Sequence, residues 1–442
     1  MNFPIVVLDN GASTVKAGIL GAAGRLVRII PNAVIRSKGD KATYIGHEFE
    51  RCRDYSALHY RLPSEKGLLV DWDAQKAIWD GIFSDEVLGV DTTNSSLLIT
   101  EPYFNLPNIQ EVYDQFVFEE YEFQSYYRCT PASLIPHGDL FRNLSPQPEC
   151  MLVVDSGFSF THVVPILDGR VVWKAVKRLD VGGKLLTNQL KELVSFRQWN
   201  MMNETYIMNH VKESCCFLTS DFARDLEACR FSNTIVQEYV LPDLTRERKG
   251  HVKEENEMST NEQVLVMNNE RFSVPEIIFR PDDLGIDQTG LPGTISLSIS
   301  SLPSDLQGLF WANIFLIGGN TKFPNLGYRL LKELRSLAPV DCEVSIHESP
   351  EPITEAYFAA LNFASMPEFS HLVVTRSEYA EFGSNASRRK FHDWSSGSFE
   401  KEAGEVGKVG KGKQREDDRS SSPNKLSRTR SKISTPSISK RR

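Results

Sequence analysis

One short unit occurs twice in the chain, and this repeat constrains the fold more than any other feature. Val6-Val7-Leu8-Asp9-Asn10-Gly11-Ala12-Ser13 is matched by Leu152-Val153-Val154-Asp155-Ser156-Gly157-Phe158-Ser159. Each copy is an apolar run, then Asp-x-Gly-x-Ser, then a second β-patterned run, Val15 to Ile19 or His162 to Ile166. A Gly turn follows (Gly21 to Gly24, or Asp168-Gly169) and leads to a third predicted strand, Leu26 to Ile30 or Val171 to Val176. Helical patterning comes next, with Lys184 to Phe196 setting Leu186, Leu190, Leu193 and Val194 on one face. Two strand–turn–strand–turn–strand units predict an α/β chain of two similar halves, with ligands held in the cleft between them.

The repeat carries chemistry as well as shape. A hairpin with Gly at its tip aims successive backbone N–H groups at one spot, a nest for phosphate oxygens. The Asp that closes each first strand, Asp9 or Asp155, faces the same spot and can hold a hydrated Mg²⁺ between the halves. One Asp-x-Gly alone reads as an ordinary turn, because Asp and Gly are default turn residues. Two at matching places point to phosphate. A third element fits: Asn313 to Ile317 is apolar, Gly318-Gly319-Asn320-Thr321 follows, and a helix is predicted from near Pro324 through Leu326, Leu330, Leu331 and Leu334. Paired glycines at such a turn let a flat ligand approach the backbone, although in isolation they read as a plain turn.

The rest of the chain sets limits. Its 442 residues, 40% hydrophobic and 24% charged, supply material for two or more cores. No apolar run approaches the roughly 20 residues of a membrane span. The Phe3 to Leu8 run is stopped by Asp9 and lacks a basic start, so it reads as a buried strand rather than a leader. Seven scattered cysteines form no Cys-x-x-Cys pair, which places the chain in a reducing compartment, cytosol or nucleus. The net charge of −8 is uneven: from Lys408 onward about twelve basic residues face three acidic ones, leaving about −17 for the body. The Gly-, Ser- and Lys-rich end, 393–442, cannot bury enough apolar surface and is expected to be a disordered basic tail. Within it, Arg428-Thr429-Arg430-Ser431-Lys432 and Lys440-Arg441-Arg442 suit nuclear import or phosphate-backbone contact as well as plain solvation. A second polar stretch, 245–263, reads as a surface insertion.

Together the two loops and the Gly318-Gly319 turn resemble the nucleotide-binding signature of the actin superfamily. The likeness extends over nearly the whole body, through Lys66-Gly67-Leu68-Leu69-Val70-Asp71-Trp72, Leu98-Ile99-Thr100-Glu101-Pro102, Glu270-Arg271-Phe272-Ser273-Val274-Pro275 and Arg389-Lys390-Phe391. Within the superfamily, Thr100-Glu101-Pro102-Tyr103-Phe104-Asn105 and Val181-Gly182-Gly183-Lys184-Leu185-Leu186-Thr187-Asn188 are similar to the nuclear actin-related proteins of Swr-type chromatin remodelling complexes. The resemblance implies an actin-like ATPase fold, two ribonuclease-H-like halves around a nucleotide cleft, each with an inserted subdomain. The implied division is 1–31, 63–146 and 339–392 for the first large subdomain and 32–62 for its small one. The second large subdomain takes 147–180 and 271–338, and its small one 181–270. It also implies an ATP site of Asp9, Gly11 and Lys16 on the first loop and Asp155 and Gly157 on the second. Lys212 and Glu213 match positions beside the ribose and base, and Gly318 and Gly319 those beside the nucleotide. Asp9 and Asp155 would hold Mg²⁺ through water. On spacing alone, Lys212-Glu213 reads as a solvated helix face.

The departures from actins fall on the chemistry. Ala12-Ser13 stands where actins carry Ser-Gly, displacing a hydroxyl by one residue, and Phe158-Ser159 replaces an Asp-Gly pair, where a bulky Phe hinders closure. The glutamine that orients the attacking water aligns with Pro131. Positioning is most of what a phosphoryl-transfer site contributes, so ATP binding with slow or absent hydrolysis is expected. The segment Arg36 to Thr43 is too short to bridge to a neighbouring subunit, at roughly 3.3–3.6 Å per residue, so self-polymerisation is not expected. The expected role is a non-catalytic nuclear subunit, with a cytoplasmic pool allowed. Its implied partners are a Snf-type remodelling ATPase, a HIT-type zinc-finger subunit and, through the complex, the nucleosome or histones. A filament-forming cytoskeletal ATPase and a small-molecule kinase are the alternatives on the same fold.

Overall fold

The two copies of the repeat form the centres of two sheets. The computed structural model describes residues 3–21, 26–142, 146–232, 234–243, 250–254, 262–391 and 394. In the first sheet the strands run Val374–Thr375, Ser125–Cys129, Ser96–Thr100, Ile5–Asn10, Thr14–Ile19, Arg28–Pro31. In the second they run Ile346–Glu348, Ile314–Ile317, Cys150–Ser156, Thr161–Leu167, with Arg170–Val171 and Lys177–Leu179 both pairing the last of these. Ile5–Asn10 and Cys150–Ser156 occupy the same place: each is antiparallel to its hairpin partner and parallel to the neighbour on its other side. Their aspartates are therefore equivalent. Asp9 lies opposite Lys16 across its hairpin, and Asp155 lies opposite His162.

Strands buried on both faces read as continuous apolar runs, which is why Val6, Val7 and Leu8, like Leu152, Val153 and Val154, are wholly buried. One cluster joins the halves. Val7 and Leu98 from the first sheet and Val153, Val164 and Phe315 from the second pack around Ala356, Tyr357, Ala359 and Ala360 of the helix Glu355–Ala364. Each fully buried Val or Phe there stabilises by roughly 1.5–3 kcal/mol, so the floor of the cleft is a shared core rather than a loose hinge.

Several sequence expectations are corrected. The third strand of the second half is not continuous over 171–176: the chain makes a 3₁₀ turn at Trp173–Ala175 that buries Ala175, and pairing resumes at Lys177–Leu179. On the helix Gly183–Arg197 the inward face is Leu186, Leu190 and Val194, while Leu193 is 37% exposed and Lys191 is buried, its ammonium on Thr205 Oγ1 at 3.1 Å. Leu331 turns outward in the same way from Leu326–Leu337. Ile346–Glu348 hydrogen-bonds to Ile314–Ile317, so the second large subdomain runs past residue 338.

The insertion is not wholly a surface excursion either. His251–Val252 adds an edge strand to Gln237–Val240, which pairs on its other side with Val264–Met267. Residues 245–249 and 255–261 of that stretch lie outside the described residues, as do 393 and 395–442 of the predicted tail. Trp394 packs on Phe104 and donates its indole N–H to the Asn105 carbonyl at 2.8 Å. The short segment Arg36 to Thr43 lies within a hairpin: Val34–Ser37 pairs Ala42–Ile45 in register through a turn at 38–41. The Asp40 carboxylate ties that turn down, accepting the Tyr44 hydroxyl and the Arg53 N–H, each at 2.8 Å. No helix among the described residues is long and apolar enough to cross a membrane.

Candidate functional site

A cleft of about 650 Å³ opens between the two sheets, at the ends of the paired first strands. All nine residues singled out in the sequence line it: Asp9, Gly11, Lys16, Asp155, Gly157, Lys212, Glu213, Gly318 and Gly319. Strand geometry explains much of the convergence: each hairpin tip follows the C-terminal end of its first strand, and Gly318-Gly319 follows the same end of the parallel neighbour Ile314–Ile317.

On the first loop, Asp9 is buried and holds two groups in place. Its Oδ1 accepts the Thr100 hydroxyl at 2.8 Å, and its Oδ2 lies 3.3 Å from the Lys16 ammonium. Thr100 Oγ1 in turn accepts the Asn10 N–H at 2.9 Å, which fixes the backbone just before the tip. The tip is tight: a Cβ on Gly11 would come 2.8 Å from the Thr14 carbonyl oxygen and 3.5 Å from the Lys16 nitrogen. The ammonium therefore stands beside the turn, where a phosphate oxygen would meet it. Buried Asn32 braces this loop by donating to the Gly11 carbonyl at 2.9 Å.

The second loop differs. Asp155 Oδ2 accepts the Tyr103 hydroxyl at 2.8 Å, and that hydroxyl also accepts the Ala132 N–H at 3.1 Å. Burial pushes the Asp155 carboxyl from its ordinary 3.8 up to about 6, and the nearby Asp9 charge adds to this while Tyr103 and Lys16 pull the other way. The Tyr103 ring lies over His162, centroids 4.3 Å apart. Burial, assisted by the Arg178 charge, drops His162 from 6.5 to about 3, so the ring is neutral. The first half thus places a cation opposite its aspartate, and the second a neutral ring.

Gly318 has φ +92, and a Cβ on it would lie 2.4 Å from the Ser156 carbonyl oxygen, so only glycine fits there. Gly319 is open, with Ile353 Cγ1 the nearest atom to a built Cβ, at 4.0 Å. That bare backbone suits the flat face of a ligand.

Lys212 is not on a solvated face. It is buried on the helix Thr205–Cys215, its ammonium 2.9 Å from Asn209 Oδ1, 3.0 Å from Thr187 Oγ1 and 3.3 Å from the Gly183 carbonyl. Three acceptors satisfy its three protons, so it braces the helix–loop junction and offers a ligand its stem. Glu213 is exposed and accepts Asn209 Nδ2 at 2.7 Å.

Phe158 lines the cleft, but the aromatic that reaches across it is Phe160. A Cβ on Gly67, where φ is +77, would come 2.9 Å from the Phe160 ring, and the Arg178 guanidinium sits 4.5 Å from that ring's centroid. Ser13 is exposed at the rim, consistent with the displaced hydroxyl. Pro131 lines the cleft at the first position of the short helix Pro131–Leu134. It has neither an N–H nor a polar side chain to orient a water.

Sequence reasoning missed Thr100, Asn32 and the Tyr103–Asp155 bond as parts of the site. Tyr103 lies in Thr100-Glu101-Pro102-Tyr103-Phe104-Asn105, and a phenol two residues beyond the Thr-Glu strand end is the available signal.

The residues fit a nucleotide with Mg²⁺. A glycine-tipped nest carries a lysine beside it, two carboxylates face one volume, and Gly319 leaves room beside the backbone. A model of the actin family matches residues 2–392. The chain is 48% identical to "Actin-like protein ARP6" of Cryptococcus neoformans, covering 88% of this chain and 84% of that one. It is 38% identical to "Actin-related protein 6" of Arabidopsis thaliana (88% and 99% covered) and 36% identical to that of Drosophila melanogaster (86% and 97%).

Proposed function

The chain belongs to the actin family, in the company of the actin-related proteins numbered six, and from that premise we propose that it is a non-catalytic subunit of a Swr-type chromatin remodelling complex. In this reading it binds a Snf-type ATPase and a HIT-type zinc-finger subunit, works in the nucleus with a cytoplasmic pool, and supports assembly, nucleosome engagement and exchange of the Z-type histone variant. ATP with Mg²⁺ is a structural ligand.

The single observation that carries the non-catalytic part is the asymmetry of the cleft. Its first loop keeps a lysine and a carboxylate at a phosphate nest, while the second carboxylate is tied to Tyr103 and the water-orienting position is Pro131. Gly11 and Gly157 would cradle phosphates, Lys16 would neutralise them, and Asp9 and Asp155 would face the hydrated cation. The nucleotide would supply binding free energy that joins the two halves. The chain's own residues then leave water in the cleft unaimed: Pro131 has no donor, and Asp155 already accepts the Tyr103 hydroxyl's hydrogen bond. The tied-down hairpin at 38–41 leaves no projecting bridge, which disfavours the cytoskeletal filament reading.

Affinity purification from nuclear extract with cross-linking mass spectrometry tests the assignment. Stoichiometric recovery of a Snf-type ATPase and a HIT-type zinc-finger protein is expected. Recovery of long self-oligomers that respond to ATP would overturn it.

A further inference from the structure

Both loops of the cleft are held by the same bond, and the repeat does not impose it. Asn32 Nδ2 donates to the Gly11 carbonyl at 2.9 Å, and Asn320 Nδ2 donates to the Gly157 carbonyl at 2.8 Å. Both asparagines are buried. They come from unmatched places: Asn32 follows Arg28–Pro31, the third strand of its unit, whereas Asn320 lies in the 3₁₀ turn Gly319–Lys322 behind Ile314–Ile317. Each has a further bond. The Asn32 N–H donates to the Ser13 carbonyl at 2.9 Å, and Asn320 Nδ2 lies 3.2 Å from Ser156 Oγ.

Peptide planarity gives these bonds a consequence. In a trans peptide the carbonyl and the next residue's N–H point in opposite directions. Turning the Gly11 and Gly157 carbonyls onto buried amides therefore turns the Ala12 and Phe158 N–H groups the other way, and both of those residues line the cleft. The glycines' own N–H groups are already used inside the loops, donating to the Asp9 and Phe160 carbonyls, each at 3.0 Å. The Ala12 and Phe158 N–H groups have no partner among the described residues.

We infer that Asn32 and Asn320 are positioning residues, one for each loop, that aim the Ala12 and Phe158 N–H groups at the phosphate chain. This rests on reading the cleft as a nucleotide site. A buried amide bond fixes the peptide plane before the ligand arrives, so the donors need no reordering on binding. Without Asn32 the Gly11 peptide can rotate, because glycine has access to both signs of φ, and its carbonyl then faces the phosphate and repels it. The Gly157 carbonyl keeps a second donor, the Gly183 N–H at 3.0 Å, so its loop depends less on the asparagine.

The test titrates Mg²⁺-ATP and adenosine by calorimetry into full-length wild type, Asn32→Ala and Asn320→Ala. Asn32→Ala is expected to weaken ATP binding on the order of tenfold, and Asn320→Ala about threefold. Adenosine, which has no phosphate, should bind both variants as it binds wild type. Equal losses for ATP and adenosine would show a structural role only and overturn the inference, as would ATP binding unchanged in both variants. Should Asn32→Ala fail to fold, Asn320→Ala carries the test, since Gly183 still holds the Gly157 carbonyl. Glycine labelled with ¹³C reads the two bonds without nucleotide. The Gly11 carbonyl resonance should move upfield in Asn32→Ala and that of Gly157 in Asn320→Ala, and unmoved resonances refute the positioning itself. A wild-type chain that binds no ATP refutes the nucleotide site, and the phosphate role with it, even where those resonances move.

Discussion

The Tyr103 hydroxyl donates a hydrogen bond to Asp155 Oδ2 at 2.8 Å while accepting one from the Ala132 N–H, which ties the second carboxylate of the cleft to the opposite half of the molecule. The same bond stabilises the ionised form of Asp155. Tyr103→Phe should therefore raise the Asp155 midpoint above about 6, and cost about 1 kcal/mol because the Ala132 N–H is left without its acceptor. An NMR titration of the aspartate carboxyls reads the shift. A fall in the midpoint would contradict the donor assignment.

His162 gives a distinct pH signature. Its pKa in the fold, about 3, lies below its ordinary 6.5, so the unfolded chain takes up its proton first. Stability from this residue is complete above pH 6.5 and is lost as pH falls toward 3, with a slope of up to about 1.4 kcal/mol per pH unit. Asp155 has the opposite sign: its pKa is raised from 3.8 to about 6, so its contribution is present below pH 3.8 and is lost as pH rises through 6. Urea denaturation of His162→Phe should show less acid sensitivity than wild type, and that of Asp155→Asn more.

The glycine at 318 is a backbone requirement. Gly318→Ala places a methyl in the left-handed region and against the Ser156 carbonyl, and should cost more than about 1–2 kcal/mol. Gly319→Ala, which meets open space, should leave stability within about 1 kcal/mol of wild type. Thermal melts of the two variants side by side check the contrast.

Arg128 holds a buried charge network beneath the cleft. Its guanidinium is 3.1 Å from Glu101 and 3.0 Å from Asp114, all three groups being nearly inaccessible to water. Arg128→Ala leaves two carboxylates buried together and should destabilise by about 3–5 kcal/mol. Equilibrium unfolding reads this, and a loss under 1 kcal/mol would mean that water replaces the guanidinium.

The paired sheets and their Asp-x-Gly tips were legible because strand, turn and strand follow one another locally, and the pattern occurs twice. Lys212 was not. Helical period places Ile207, Met208, Val211 and Cys215 inward, and nothing local shows that Gly183 and Thr187, far off in sequence, supply acceptors for an ammonium beside that face. Leu193 differs for a related reason: an apolar residue at helical spacing reads as core even where it lies at the margin of the buried face, as its 37% exposure shows. The stacking of Tyr206 on Tyr55, centroids 4.6 Å apart, likewise joins residues far apart in sequence through no shared motif.

The most direct test of the central claim, that this cleft holds ATP without turning it over, is the fate of bound nucleotide. Purified chain loaded with Mg²⁺-ATP, freed of excess and sampled over hours, is denatured and its nucleotide separated by ion-exchange chromatography. Intact ATP at near-stoichiometric level throughout is the predicted result. Conversion to ADP at the rate of polymerising actin would contradict it, since neither Pro131 nor a Tyr103-bound Asp155 could then be limiting the chemistry.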